Sequence, residues 1–246
     1  MDIKCSIVIS VLESYAVVSR QLKHFNRILP DDWELILMDD GSEPSISSEL
    51  YNDYPDACEI ITANNNIHLY KTNQERIPWH QPQARNEGAE LAKGEYLFFS
   101  DIDHIITSEA IESVNQNMSF HKMVFPRTWG VLNPDGCINQ DVEVLKTYGL
   151  QDNLIGYIGS HCNTFAIPKD IFLQCPYLEK FQGFYGGDDV QQAKDYGQLA
   201  RPNGWQTLKG GMMYVYPDPR NNFKDFHGLR RHKIETGSYE NYKLKV

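Results

Sequence analysis

The sequence predicts an α/β fold, a single compact domain built on a mixed, mostly parallel sheet flanked by helices. Three observations predict it. Short apolar, β-branched runs alternate with amphipathic stretches through the first hundred residues. Two of those runs end in acidic turns, Asp39-Asp40-Gly41-Ser42 and Asp101-Ile102-Asp103. No linker, repeat or low-complexity segment divides the chain.

Taken in order, Cys5 to Leu12 reads as a first buried strand. Ala16 to Leu29 carries Val17, Val18, Gln21, Leu22, Phe25 and Leu29 near helical period, and Pro30 stops it. Trp33 to Met38 reads as a second strand, and Ser45 to Tyr54 as a short helix before Pro55. Glu59 to Thr62 is expected to be the third strand, and Asn64 to Pro78 a polar loop. Gln81 to Lys93 reads as a helix whose small residues Ala84, Gly88 and Ala92 suit close packing on a sheet. Tyr96 to Ser100 is a buried strand that delivers Asp101 and Asp103 at spacing i, i+2. An extended chain would send both carboxylates to one face. Ser108 to Asn117 is a further helix, and Met123 to Pro126 a strand. From Thr128 to Asn139 turn residues dominate, with Asn133-Pro134-Asp135-Gly136 a strong turn. Asp141 to Tyr148 reads as a short helix, Asn163 to Ile167 as a strand, and Lys169 to Leu173 as a helical turn. Asp188-Asp189 opens a helix running to about Leu199. The tail from Pro217 has little periodicity.

Composition narrows the partners. The chain has 246 residues, 41% of them hydrophobic, and a net charge of −10 with no basic run. That balance argues against nucleic acid or an anionic membrane as the main partner. No apolar run approaches the roughly 20 residues that span a bilayer, so no integral membrane segment is expected. The apolar run after Met1-Asp2-Ile3-Lys4 is too short for a signal peptide. Five scattered cysteines with no C-x-x-C suit a reduced, cytoplasmic protein.

The acidic turns carry the chemistry. In parallel sheets ligands sit beyond the carboxyl ends of the strands, where both turns are expected. Paired carboxylates repel one another unless a cation lies near. A hard divalent ion that also holds phosphates suits such oxygen ligands.

With these pieces in place the chain resembles a GT-A fold glycosyltransferase of the family 2 type, with a galactosyltransferase-like C-terminal motif. The resemblance spans about residues 3 to 200. Ser6-Ile7-Val8-Ile9-Ser10 resembles the first strand, and Leu37 to Ser42 the turn that reads the nucleotide base. Ala84-Arg85-Asn86-Glu87-Gly88 through Tyr96 resembles the lead-in to the D-x-D motif at Asp101-Ile102-Asp103. Phe184-Tyr185-Gly186-Gly187-Asp188-Asp189 resembles the W-G-G-E-D motif, with Tyr185 where Trp is common and Asp188 where Glu is common. Val11-Leu12-Glu13 departs from the usual Tyr-Asn after the first strand.

The resemblance implies an inverting, metal-dependent transfer from a UDP-sugar donor to a hydroxyl of a glycan or glycoconjugate, as in polysaccharide biosynthesis. It makes residues 1–105 a nucleotide-sugar-binding half and 106–246 an acceptor-binding half with a C-terminal lid, both within one GT-A domain. Asp103 becomes the direct ligand of Mn²⁺ or Mg²⁺. Asp101 touches the ribose or a metal-bound water, and Asp40 accepts from N3–H of uracil. Asp39 is the turn-capping partner. Arg85 approaches the nucleotide or pyrophosphate, or else pairs with Glu87 or Glu90 at the surface. Asp189 is the general base, with Asp188, Tyr185 and Gly187 at the acceptor; the bland alternative makes both aspartates helix caps. A C-terminal histidine completes the metal's ligands, His227 in preference to His232. His161 lies where the family's acceptor pocket passes. Two other classes fit less well. A sugar-nucleotide nucleotidyltransferase needs a Gly-rich basic loop that Ser10 to Ser14 lacks, and a non-catalytic sugar-binding protein has no need of both Asp103 and Asp189.

Overall fold

A computed structural model describes residues 2–73, 80–151, 156, 158–179 and 188–217 of the chain. The first half contains β1 (Cys5–Val11), α1 (Tyr15–Ile28), β2 (Trp33–Asp39), α2 (Ile46–Asp53), α3 (Pro55–Ala63), β3 (Ile67–Lys71), α4 (Gln81–Leu91), β4 (Tyr96–Ser100) and β5 (His104–Ile105). The second contains α5 (Ser108–Gln116), β6 (Lys122–Val124), β7 (Arg127–Trp129), β8 (Val131–Leu132), β9 (Ile138–Asn139), α6 (Val142–Thr147), β10 (Phe165–Pro168), α7 (Lys169–Phe172), α8 (Asp188–Asn203), β11 (Thr207–Lys209) and β12 (Met213–Val215).

Seven strands form the main sheet in the order β11-β6-β10-β4-β1-β2-β3. The β3-β2-β1-β4 block is parallel, with Ile7 opposite Leu35 and Phe98. β10 enters antiparallel between β4 and β6, so one sheet carries strands from both halves of the chain. β1 and β2 are buried at every position, as central strands covered on both faces must be.

Side-chain alternation splits the core in two. Ile7, Ile9, Leu35, Leu37 and Phe98 face Leu22 and Phe25 of α1 and Ile111 and Val114 of α5. Val8, Ile36, Met38, Leu97 and Phe99 face Ala84 and Ala89 of α4, together with Phe172 and Tyr196. Phe98 stacks on Phe125 at 4.4 Å between ring centroids. Burying one such ring contributes about 1.5–3 kcal/mol. α4 needs Gly88, because a Cβ there would lie 2.6 Å from Val8 Cγ1. The helices start where capping chemistry allows. The Ser45 hydroxyl accepts from Ser48 N, Thr107 from Ala110 N, and Asp141 from Glu143 N and Val144 N.

Three expectations are corrected. Glu59–Thr62 is not a strand: it lies inside α3, with Pro55 at the first turn and Ala57 buried against the first core cluster. The third strand is β3, inside the stretch expected to be loop. Its pattern alternates, with Ile67 and Leu69 on the first core cluster and Tyr70 on the second. The 128–139 stretch is not all turn. β8 and β9 form a hairpin around the expected Asn133–Gly136 turn, closed by Gly136 N to Asn133 O at 2.8 Å. Gly136 has φ +81°, a left-handed conformation that glycine adopts without strain. β7 joins β5 and β12 in a second, three-stranded sheet beside the D-x-D turn.

Candidate active site

The carboxyl ends of β2 and β4 flank that of β1, so their two turns stand roughly 10 Å apart, twice the spacing of neighbouring strands. The first turn is organised by Asp39. Its Oδ1 accepts from Ser42 N at 2.9 Å and its Oδ2 from Ile46 N, the first residue of α2, at 3.0 Å. Asp39 is therefore the capping residue expected. Asp40 follows, buried, with its own N–H donated to Val11 O at 2.8 Å. The Ser42 hydroxyl accepts from Glu13 N, which ties the loop after β1 to the same turn.

The second turn is tighter than the strand-based expectation. The chain leaves β4 after Ser100 and folds at once, His104 N donating to Asp101 O at 3.0 Å. Asp101 and Asp103 therefore do not share the face of an extended strand. Gln21 of α1 holds this turn from behind, its amide donating to Ile102 O at 3.1 Å and His104 O at 2.8 Å.

The two carboxylates have different surroundings. Asp101 Oδ1 accepts from Arg85 and, at 3.1 Å, from Gln81, while Oδ2 faces His161 Nδ1 at 3.3 Å. Burial alone would raise its pKa. The Arg85 guanidinium, helped by His104, His161 and Gln81, outweighs that and holds it below its ordinary value. Burial, and then the charge of Asp101, push Asp103 up to about 7. On Asp103 the Arg127 charge acts in the lowering sense but does not offset the rest. Arg85 itself is fully buried, with Tyr177 against its guanidinium at 5.1 Å. It reaches neither solvent nor Glu87 or Glu90 as expected of a surface arginine. Its guanidinium donates to Asp101.

His104, His161 and Arg127 complete the cluster. Burial drives His104 down to about 3, so its ring is neutral. Arg127 Nη1 donates to His104 Nε2 at 2.8 Å, which leaves Nδ1–H to donate to Thr164 Oγ1. Arg127 Nε donates to Gly159 O at 3.0 Å. His161 is also lowered by burial, and its ring meets that of His104 edge-on at 5.3 Å.

One ligand atom each from Asp101, His104 and His161 falls within 4.8 Å of the others. Both His104 nitrogens are engaged, however, and Asp101 is already neutralised by Arg85. The group that fits a hard cation is Asp103, an oxygen donor whose carboxylate form is disfavoured by burial and by the charge of Asp101.

Asp189 stands in the first turn of α8. Its Oδ1 accepts from Val190 N at 2.7 Å and its Oδ2 from the thiol of Cys162, also at 2.7 Å. It lies close enough to His161 for its charge to act on that ring. The structure thus gathers Asp101, Asp103, Arg85, His161 and Asp189 around one end of the sheet, with Asp40 across β1. Tyr185, Gly187, His227, His232 and the side chain of Asp188 lie outside the described residues. Sequence reasoning missed Gln21, His104, Arg127 and Cys162 as parts of the site. His104 adjoins the D-x-D, which is a usable signal; the others come from distant segments and carry none.

Comparison with known proteins agrees with this fold. The family model for glycosyl transferase family 2 matches residues 6–163. A poly(ribitol-phosphate) beta-glucosyltransferase of Bacillus spizizenii is 35% identical over 110 residues, 44% of this chain. The chain covers only 16% of that relative's length. Among solved structures, S. aureus TarS 1–349 superposes with a TM-score of 0.54 over 95% of this chain and 66% of its own, at 14% identity. Glucosyl-3-phosphoglycerate synthase from Mycobacterium tuberculosis, in complex with Mn²⁺, UDP and glucosyl-3-phosphoglycerate, superposes with a TM-score of 0.52 at 13% identity. It covers 94% of this chain and 77% of its own. These neighbours share the mixed sheet of the GT-A fold. With the family model matching well over half of its residues, the chain belongs to glycosyl transferase family 2.

Proposed function

We propose that this chain is an inverting, metal-dependent glycosyltransferase that moves a sugar from a UDP-sugar to a hydroxyl of a glycan or glycoconjugate. The observation that supports it best is the asymmetric acidic pair, Asp101 neutralised by Arg85 and Asp103 pushed up by burial and by the Asp101 charge, at the strand end that also faces Asp189. The Bacillus relative is named a beta-glucosyltransferase, and a β-glucoside made from the α-linked donor has an inverted anomeric centre. UDP-glucose is therefore the first donor to test.

In this reading Asp40 accepts from uracil N3–H, and the separation of about 10 Å between the two turns accommodates the ribose and pyrophosphate. Asp101, fixed by Arg85 and Gln81, takes the ribose or a metal-bound water. Asp103 holds Mn²⁺ or Mg²⁺, with His227 as a further ligand. The ion, when bound, supplies Lewis-acid stabilisation of the departing diphosphate. Asp189 accepts the proton of the attacking acceptor hydroxyl. Asp188, Tyr185 and Gly187 bind the acceptor. Residues 1–105 serve the donor, and 106–246 the acceptor and lid. Five free cysteines suit a cytoplasmic setting, and among the described residues no helix is long and apolar enough to cross a membrane.

The test is UDP release from UDP-glucose, with other UDP-, GDP- and CDP-sugars alongside, with and without Mn²⁺, in wild type and Asp103→Ala. Metal-dependent release lost in a folded Asp103→Ala variant is the expected result, with product NMR showing inversion when an acceptor is found. Full turnover in excess EDTA overturns the metal assignment. Binding of UDP without any turnover leaves a non-catalytic sugar-binding protein.

A further inference from the structure

The Gly159-Ser160-His161-Cys162 loop brings a thiol to the catalytic end of the sheet. Cys162 is exposed, yet its Sγ lies 2.7 Å from Asp189 Oδ2. We propose that Cys162 is a positioning residue for Asp189, its S–H donating to the carboxylate and fixing the oxygen that receives the acceptor's proton. This rests on the reading of Asp189 as the general base.

The arrangement around Asp189 carries the inference. Oδ1 is tied to Val190 N, a contact within the same helical turn that fixes the carboxylate only locally. Cys162 ties the carboxylate to a segment outside the helix, 27 residues away in sequence. Its loop is itself anchored on the metal side. Arg127 donates to Gly159 O, and Asn163 N donates to His161 Nδ1 at 3.3 Å. Arg127 also grips His104, next to Asp103. A chain of contacts thus runs from the D-x-D turn through Arg127 and the 159–163 loop to the base. Its effect is to set the distance between the leaving-group side and the proton-accepting side. Each carboxylate oxygen keeps a second lone pair, so the thiol need not compete with an acceptor hydroxyl. The thiol is a weak donor, so its contribution is orientation. The converse effect falls on the sulfur. Burial first, and then the hydrogen bond and charge of Asp189, push the Cys162 thiol up to about 12.

Two experiments test it. The first measures Mn²⁺-dependent UDP release from UDP-glucose in wild type, Cys162→Ala, Cys162→Ser, Asp189→Asn and the Cys162→Ala/Asp189→Asn double variant. Cys162→Ala should lower kcat about fivefold, a modest loss suited to a weak hydrogen bond, with KM for UDP-glucose unchanged. Cys162→Ser, whose hydroxyl donates in the same place, should recover most of the loss. In the Asp189→Asn background the alanine change should add nothing, because the group it positions is gone. The second experiment maps iodoacetamide labelling by mass spectrometry at pH 8, with exposed Cys137 as the internal reference. Thiolate is the reactive form. Asp189→Asn should raise the Cys162 to Cys137 labelling ratio, by about tenfold for each unit by which the thiol pKa falls. Undiminished turnover in Asp189→Asn removes the base and this inference with it. A slow Asp189→Asn beside a wild-type-like Cys162→Ala keeps the base and overturns the positioning role. So does an equal loss from Cys162→Ala in both backgrounds, or a labelling ratio that Asp189→Asn leaves unmoved.

Discussion

Asp39 offers a perturbation whose size can be worked out. The residue is 3% exposed, and its two oxygens accept the N–H groups of Ser42 and Ile46 in a buried turn. Asp39→Ala leaves both donors without an acceptor. Each buried unsatisfied N–H costs about 1–3 kcal/mol, so the pair costs roughly 2–6 kcal/mol against a total stability of about 5–15 kcal/mol. Asp39→Asn keeps one acceptor and turns an NH₂ group toward the other donor, so about half of that loss is expected. The same turn carries Asp40, so UDP affinity should fall in the same order, alanine more than asparagine. The assays are urea unfolding followed by circular dichroism, and calorimetric UDP titration. If Asp39→Ala unfolds within about 0.5 kcal/mol of wild type, the carboxylate does not hold the turn. If stability falls but UDP affinity does not, the turn does not read the nucleotide.

Three further outcomes are expected. Gly88→Ala places a Cβ 2.6 Å from Val8 Cγ1 and 3.1 Å from Met38 Cγ. The overpacking cost of about 1–3 kcal/mol should exceed the helix-propensity gain of about 1 kcal/mol, and a rise in Tm would show that α4 shifts freely on the sheet. Lys122 is buried against the Phe165 and Tyr196 rings, at 4.0 and 4.7 Å from their centroids, and burial lowers it from 10.5 to about 8. The folded state therefore binds fewer protons than the unfolded state between these values, and this group's contribution to stability rises with pH across that window and is flat below it. The stability difference between wild type and Lys122→Met should move by up to about 3 kcal/mol over the window, as read from urea midpoints at pH 7.5 to 10, and a constant difference would place Lys122 in water. For the tail, His227→Ala should weaken the Mn²⁺ response in the presence of UDP while His232→Ala does not; the opposite result would exchange their roles.

The sequence determined whatever depends on burial on both faces or on a fixed offset along the chain. β1, β2 and β4 read as continuous apolar runs because central parallel strands meet a helix layer on each side. The acidic residues at their ends were legible because the strand period locates its own terminus, so Asp39, Asp40, Asp101 and Asp103 were placed before any fold was in hand. α3 was misread because Glu59-Ile60-Ile61-Thr62 is β-branched and short, a local pattern that packing against the first core cluster overrode. β5, β7 and β12 are two or three residues each and exist only through pairing with one another, which no local pattern announces. Tertiary structure alone decided the electrostatics. It buried Arg85 beneath Asp101, away from the surface pairing with Glu87 or Glu90 that the sequence also offered, and so divided two like carboxylates into one lowered by its arginine and one raised by burial and its neighbour's charge. It also joined His104 to Arg127 and Cys162 to Asp189 across gaps of 23 and 27 residues. Contacts of that range are made by the packing of loops on a finished sheet, and one sequence read alone holds no trace of them.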